Sequence, residues 1–325
     1  MVRVLVAGAD GPLGVRVLAL ARDDDDIEVV TPGDGSNGDG GVDVIVHLGS
    51  GDHDRLARRR QNITEGVDRT LAEAINRDAG HLVLVSSAMV YGAWPNNPVP
   101  LTEDAILRPD VEFVYARQVA AAEAMADRWR RQRPGRTVAV LRPVVTMAAE
   151  GVSQLAASLA AGLGQSFAEE DPPAQFLHLD DLAAAVALAV GSRLDGVFNV
   201  APDGWIAGER VRALTGARPR IRLPDRFAEL VAAIRWRFQR GPIPPGLGSY
   251  TREPWLVAND RLKAQGWRPT VTNEQAFVEG TEARWWTMIT PKRRQELTLG
   301  AMGVAAAGVA AGTVILARWW MRRRR

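Results

Sequence analysis

MVRVLVAGADGPLG (Met1–Gly14) sets a short apolar run directly against a glycine turn that opens a helical pattern. Val4, Leu5 and Val6 are apolar without alternation, as expected of a strand covered on both faces in a parallel sheet. Gly8, Gly11 and Gly14 follow at GxxGxxG spacing. Glycine at such a strand-to-helix turn lets backbone amides approach a pyrophosphate closely, where the opening helix presents its positive end. The same glycines also suit a tight turn that packs helix on sheet without ligand, and the residues alone leave both readings open. The apolar run is too short for a signal peptide and no cleavage site follows it, so the folded part is expected in the cytoplasm.

Outward from this turn the chain alternates short β-rich runs with helical ones, which predicts an α/β fold with a parallel sheet covered by helices. Strands are expected at Arg3–Ala7, Ile27–Thr31, Val42–Leu48, His81–Ser86, Thr137–Leu141 and Gly196–Val200. Helices are expected at Leu13–Ala21, Gln61–Arg77, Tyr115–Gln132 and Asp180–Val190. Beyond Ala201 the pattern changes: Gly, Pro and Trp become frequent, with a helix expected near Arg226–Arg240. The spacing divides the chain into a dinucleotide-binding-type body over 1–200, a smaller lobe over 201–290 and a terminal segment over 291–325.

That terminal segment holds 21 consecutive uncharged residues, Leu297–Ala317, enough to cross a roughly 30 Å hydrocarbon core at about 1.5 Å per residue. Trp319 and Trp320 follow, and then Arg322–Arg325, as interfacial aromatics and anchoring cations would. The segment reads as a transmembrane helix and the protein as membrane-associated. Gly308 and Gly312 give it a small-residue face suited to a membrane-protein partner. Lys292–Arg294 precede it and Arg318 follows it, so positive charge pulls both ends toward the cytoplasm. The alternative is a buried terminal helix of the soluble fold.

Composition narrows the chemistry. The chain has no cysteine, which excludes disulfides, thiolate metal sites and cysteine nucleophiles. Its four histidines, His47, His53, His81 and His178, show no metal-ligand spacing, so no metal is expected. Net charge is only +2 and no basic, aromatic-interleaved face is legible in the folded part, which argues against a nucleic-acid partner.

Further stretches extend the pattern in order: VDVIVHLGS (Val42–Ser50), QNITEGVDRTLAEAI from Gln61, LVLVSSAMVYG (Leu82–Gly92), YARQVAAAE (Tyr115–Glu123), LRP (Leu141–Pro143), FLHLDDLAAAVALA (Phe176–Ala189), VFNVAPDG (Val197–Gly204) and NDRLKAQGWRP (Asn259–Pro269). Over roughly residues 1–290 the chain resembles the extended short-chain dehydrogenases/reductases, the NAD-dependent epimerase/dehydratases of nucleotide sugars. The resemblance implies a Rossmann sheet with a small C-terminal substrate lobe, and NAD or NADP at Gly8, Gly11 and Gly14. It also implies a homodimer through Gln61–Arg77 and Tyr115–Gln132.

In that family a serine, a tyrosine and a lysine one turn later carry the hydride chemistry, the lysine lowering the tyrosine pKa and holding the nicotinamide ribose. The resemblance assigns Ser87 and Tyr115 to the first two positions and Asn62 to the family's helix-bending asparagine. The lysine position is Val119. Residues i and i+4 share a helix face, so Arg117 at i+2 is no substitute. A phenol with a pKa near 10 is only about a thousandth ionised at pH 7, so the family's base is largely lost. Thr31 and Pro32 stand where an acidic or basic residue usually reads the adenosine ribose, and Gly33–Gly41 is too short for the usual strand and crossover helix. Asp180 and Asp181, within a family motif, read more readily as helix caps than as catalytic acids.

Two functions are therefore expected to compete. One is a membrane-tethered NAD(P)-dependent epimerase, dehydratase or reductase acting on a nucleotide sugar or lipid-linked substrate through Ser87 and Tyr115. The other is a non-catalytic Rossmann-fold subunit of a membrane assembly, in which those two residues are inherited scaffold.

Overall fold

Alternate side chains of β1 (Val2–Ala7) enter different apolar clusters: Val4 and Val6 join one, Leu5 the other. β3 (Val44–His47) repeats this with Val44 and Val46 against Ile45, and β4 (His81–Val85) with Val83 against Leu82 and Leu84. A period of two with both sets apolar describes a sheet buried on both faces. Each such aliphatic side chain contributes roughly 1.5–3 kcal/mol on burial.

The structure is a computed structural model that describes residues 1–30, 41–49, 63–150, 152–163, 172–215 and 246–282. Its main sheet has six parallel strands in the order β2-β1-β3-β4-β5-β8, where β2 is Ile27–Val30, β5 is Thr137–Pro143 and β8 is Gly196–Val200. One cluster joins α2 (Ile63–Asn76) and α3 (Val114–Arg131) to the sheet through Val67, Leu71, Ala74, Ala122, Ala126 and Trp129. The other cluster takes Val17 from α1 (Pro12–Arg22) and Leu182, Ala185 and Val186 from α5 (Leu179–Gly191). All six expected strands and all four helices of the body are present, with ends shifted by a residue or two.

Short elements went unread in the sequence. A two-stranded parallel sheet pairs β6 (Val145–Met147) with β7 (Phe176–His178), and α4 (Gln154–Gly162) lies between them in the chain. Three-residue strands carry no period. α6 (Gly208–Thr215), α7 (Asp260–Ala264) and α8 (Asn273–Glu282) complete the described elements. Bridges Leu101–Val257 and Ala174–Ile206 stitch the stretch after β8 onto the body, and Met1–Thr281 form one compact unit.

The strand order places the site. From β1 the chain moves outward to β2 and then returns across β1 to β3, so the connections diverge at the carboxyl ends of β1 and β3, where doubly wound sheets bind ligands. β2 and β8 are the edge strands among the described residues. The expected helices near Arg226–Arg240 and at Leu297–Ala317 lie outside the described residues. No described helix is long and apolar enough to cross a membrane.

Candidate active site

Gly8 follows β1 with φ +85°, and Gly49 follows β3 with φ +80°. A Cβ on Gly8 would lie 2.8 Å from the Gly49 carbonyl oxygen, so the two loops meet as only glycine allows. A Cβ on Gly14 would fall 2.2 Å from the Ala9 carbonyl oxygen, so this glycine brings α1 down onto the turn. Gly11 is the N-cap of α1 and supplies no side-chain cap, and Pro12 opens the helix. The first turn of α1 thus begins at the divergence of β1 and β3, with its amides uncapped by Gly11. The turn fits a pyrophosphate: a backbone approach that excludes Cβ atoms, beside a helix N-terminus.

Next to it lies an open cleft of about 1050 Å³, counting the space at its mouth, and its lining includes Leu13, Gly49, Ser87, Tyr115 and Val119. Ser87 ends the β4 segment and caps a 3-10 turn over Ala88–Tyr91, its Oγ accepting from the Met89 amide at 3.2 Å. That bond leaves the Ser87 hydroxyl proton to donate. Tyr115 sits in the first turn of α3, half-buried, with its ring 5.7 Å from that of Phe113. The fold therefore gathers Gly8, Gly11, Gly14, Ser87 and Tyr115 at one end of the sheet. Asn62 lies outside the described residues.

The NAD-dependent epimerase/dehydratase family model matches residues 37–201, half of the chain. The chain belongs to that family. The Mycobacterium tuberculosis (strain H37Rv) protein Rv0501 is 23% identical over 273 residues, covering 82% of this chain and 72% of that protein. The fold resembles that of RMD from Pseudomonas aeruginosa in complex with NADPH, with a TM-score of 0.60 and 20% identity over 87% of this chain and 98% of the other. It also resembles the Thermus thermophilus UDP-glucose 4-epimerase complex with NAD, with a TM-score of 0.60 and 19% identity over 86% and 98% of the two chains. The dTDP-glucose 4,6-dehydratase of Bacillus anthracis in complex with NAD follows at a TM-score of 0.58 and 15% identity, covering 89% and 98%.

One turn of α3 beyond Tyr115 stands Val119. That side chain is 6% exposed, belongs to the apolar core and also lines the cleft. Arg117 is exposed on another side of α3. Among the described residues that line the cleft there is no lysine or arginine.

The family fold also brings together residues that motif reading passed over. Ser86, lining the cleft, donates to Glu123, which Arg142 grips through Nε at 3.0 Å and Nη2 at 2.6 Å. Arg142 Nη1 donates to the Tyr91 hydroxyl at 2.8 Å, and Tyr91 donates to Asn199 Oδ1 at 2.8 Å. Ser86 spends its proton on Glu123 and so offers lone pairs to the cleft, the opposite polarity to Ser87. The sequence did carry a signal: Glu123 lies four residues beyond Val119, a charge on the face of α3 that Ala116, Val119 and Ala126 bury.

His47 ends β3 on the cleft wall, with Nδ1 2.8 Å from Thr70 Oγ1, and Thr70 in turn donates to the Gly66 carbonyl. Burial pushes its imidazole down to about 4, so it is neutral at pH 7. His178, not an aspartate, caps α5, its Nδ1 accepting from the Asp180 amide. Asp181 is 1% exposed and accepts from the Thr270 amide and hydroxyl at 2.9 and 2.6 Å and from the Val271 amide at 3.1 Å. Capping gives way there to a tertiary role, because three donors of a distant loop converge on one buried carboxylate.

Proposed function

We propose that this chain is a membrane-tethered NAD(P)-dependent epimerase/dehydratase-like protein acting on a nucleotide sugar or a lipid-linked substrate, with a degenerate catalytic motif. The observation that carries the reading is a juxtaposition: the glycine turn at the divergence of β1 and β3 borders, through Leu13 and Gly49, the cleft that Ser87 and Tyr115 line. Gly8, Gly11 and Gly14 would hold the pyrophosphate of NAD or NADP, and the nicotinamide, when bound, supplies the hydride chemistry. Ser87 donates its hydroxyl proton to a substrate oxygen. Tyr115 exchanges a proton with the same oxygen, with Val119 in place of the family lysine that would favour its phenolate. Solved relatives of the fold that carry NAD or NADPH support the cofactor class.

The tether rests on the uncharged run Leu297–Ala317 and its flanking tryptophans and arginines. It places the body at the cytoplasmic face of a bilayer, where a lipid-linked substrate is at hand, and Gly308 and Gly312 favour a membrane-protein partner. A homodimer through the α2–α3 face accords with the family pattern. The buried valine at position 119 favours a second reading, a non-catalytic subunit of a membrane assembly that keeps the cofactor turn as scaffold.

Calorimetric titration of NAD, NADH, NADP and NADPH into the detergent-solubilised full chain separates the two. Micromolar binding is expected. Absence of heat up to millimolar concentrations would remove the enzyme and leave the scaffold.

A further inference from the structure

Tyr250 belongs to the stretch beyond β8, yet it touches the supports of both cleft residues. Its side chain is 1% exposed, and its hydroxyl donates to the Met89 carbonyl at 2.7 Å. The amide of the same Met89 donates to Ser87 Oγ. On its other side, the Tyr250 ring lies against Phe113, centroids 5.4 Å apart at 57°, and Phe113 lies against Tyr115. Trp255 closes the stack edge-on at 5.4 Å and 86°, its Nε1 donating to the Tyr250 carbonyl at 3.1 Å.

The turn that carries Tyr250 clasps the same segment. Gly246 has φ +81° and approaches so closely that a Cβ there would lie 2.6 Å from the Phe113 nitrogen. Ser249 Oγ donates to Asp110 Oδ2 at 3.2 Å. Ser87 and Tyr115 stand on different elements, joined by a long connection whose regular structure is one 3-10 turn and the Leu101–Val257 bridge. Their relative placement is therefore set by tertiary contacts, of which the Ser86–Glu123 bond is one and the Tyr250 contacts are others. Packing alone would be served by phenylalanine; a buried hydroxyl is retained at a desolvation cost that its bond to Met89 offsets.

We propose that Tyr250 is a positioning residue that sets Ser87 and Tyr115 in register, through Met89 on one side and Phe113 on the other. The inference rests on the cleft being the epimerase/dehydratase site argued above. It assigns the lobe beyond β8 a part in assembling the catalytic pair, in addition to any contact it makes with substrate.

The test uses the full chain labelled with 3-fluorotyrosine. The sequence has three tyrosines, Tyr91, Tyr115 and Tyr250, so three fluorine resonances are expected, with Tyr115→Phe assigning the one that matters. Tyr250→Phe keeps the ring and removes only the bond to Met89. The expected result is a displaced or broadened Tyr115 resonance and, with NAD and UDP-glucose as probes, kcat lowered about tenfold at unchanged cofactor affinity, as for a misplaced reacting group. An unmoved Tyr115 resonance with unchanged kcat overturns the proposal. Should the wild type bind no cofactor and turn over no sugar, the enzyme reading fails by itself, and the resonance still decides the role of Tyr250. If Tyr250→Phe does not fold, Phe113→Leu severs the ring contact while leaving the Met89 bond, and it too must displace the Tyr115 resonance or the proposal falls.

Discussion

Val119 follows Tyr115 by one turn of α3, and the two side chains line the same cleft. Position 119 thus presents an apolar side chain to the cleft one turn from Tyr115. Val119→Lys is expected to tighten NAD(P) binding about tenfold, because a charge-assisted hydrogen bond is worth roughly 1.5–3 kcal/mol and desolvation of the ammonium offsets part of that. Calorimetry on wild type and variant reads it. Unchanged affinity would mean that the cofactor ribose does not lie beside position 119.

Arg142 and Glu123 are both nearly inaccessible, with side chains 5% and 8% exposed. Removing one partner leaves the other charged and buried, so Glu123→Ala is expected to cost about 3–5 kcal/mol. Urea denaturation measures this. A loss below about 1 kcal/mol would show that water or a rearranged neighbour reaches Arg142.

His47 makes stability pH-dependent in a definite direction. Its folded pKa, about 4, lies below the ordinary 6.5, so between these values the unfolded chain binds the extra proton. The contribution is complete above about pH 6.5 and is lost as pH falls toward 4, amounting to about 3 kcal/mol. His81, also pushed down by burial, acts in the same sense. The stability of wild type relative to His47→Gln should therefore fall steadily as pH is lowered from about 7 to about 4.5, read from urea denaturation. A constant difference across that range would contradict the assignment.

Burial raises the phenols of Tyr91 and Tyr250 above their usual range, which leaves two of the three tyrosines ionising late. Absorbance titration near 295 nm should show at most one tyrosine ionising before the chain unfolds. Two early steps would mean that one of the buried hydroxyls is open to solvent.

The sheet was legible because its physics is local. Val4, Leu5 and Val6, Val44–Val46 and Leu82–Leu84 are apolar runs bounded by glycine or polar turns, and that pattern survives any tertiary arrangement. The positions of Ser87 after β4 and of Tyr115 in the first turn of α3 were legible because strand ends and helix starts are local features. Glu123, Arg142 and Tyr250 were not, since each matters through partners on other elements: Ser86 for Glu123, Tyr91 for Arg142, Met89 and Phe113 for Tyr250. Asp181 was misread for the same reason, its partners being Thr270 and Val271.

By itself the sequence determined the parallel α/β body, the glycine turn that follows its first strand, the apolar Val119 four residues beyond Tyr115 and the uncharged run Leu297–Ala317, because period, backbone freedom and charge are properties of neighbouring residues. Tertiary structure alone decided that Ser87 and Tyr115 line one cleft, which the turn borders through Leu13 and Gly49. It decided too that Gly8 meets Gly49, that Arg142 neutralises Glu123 behind Ser86, and that Tyr250 meets Met89 and Phe113. Those facts depend on strand order and on contacts across long stretches of chain, where burial, not local preference, determines which groups must pair.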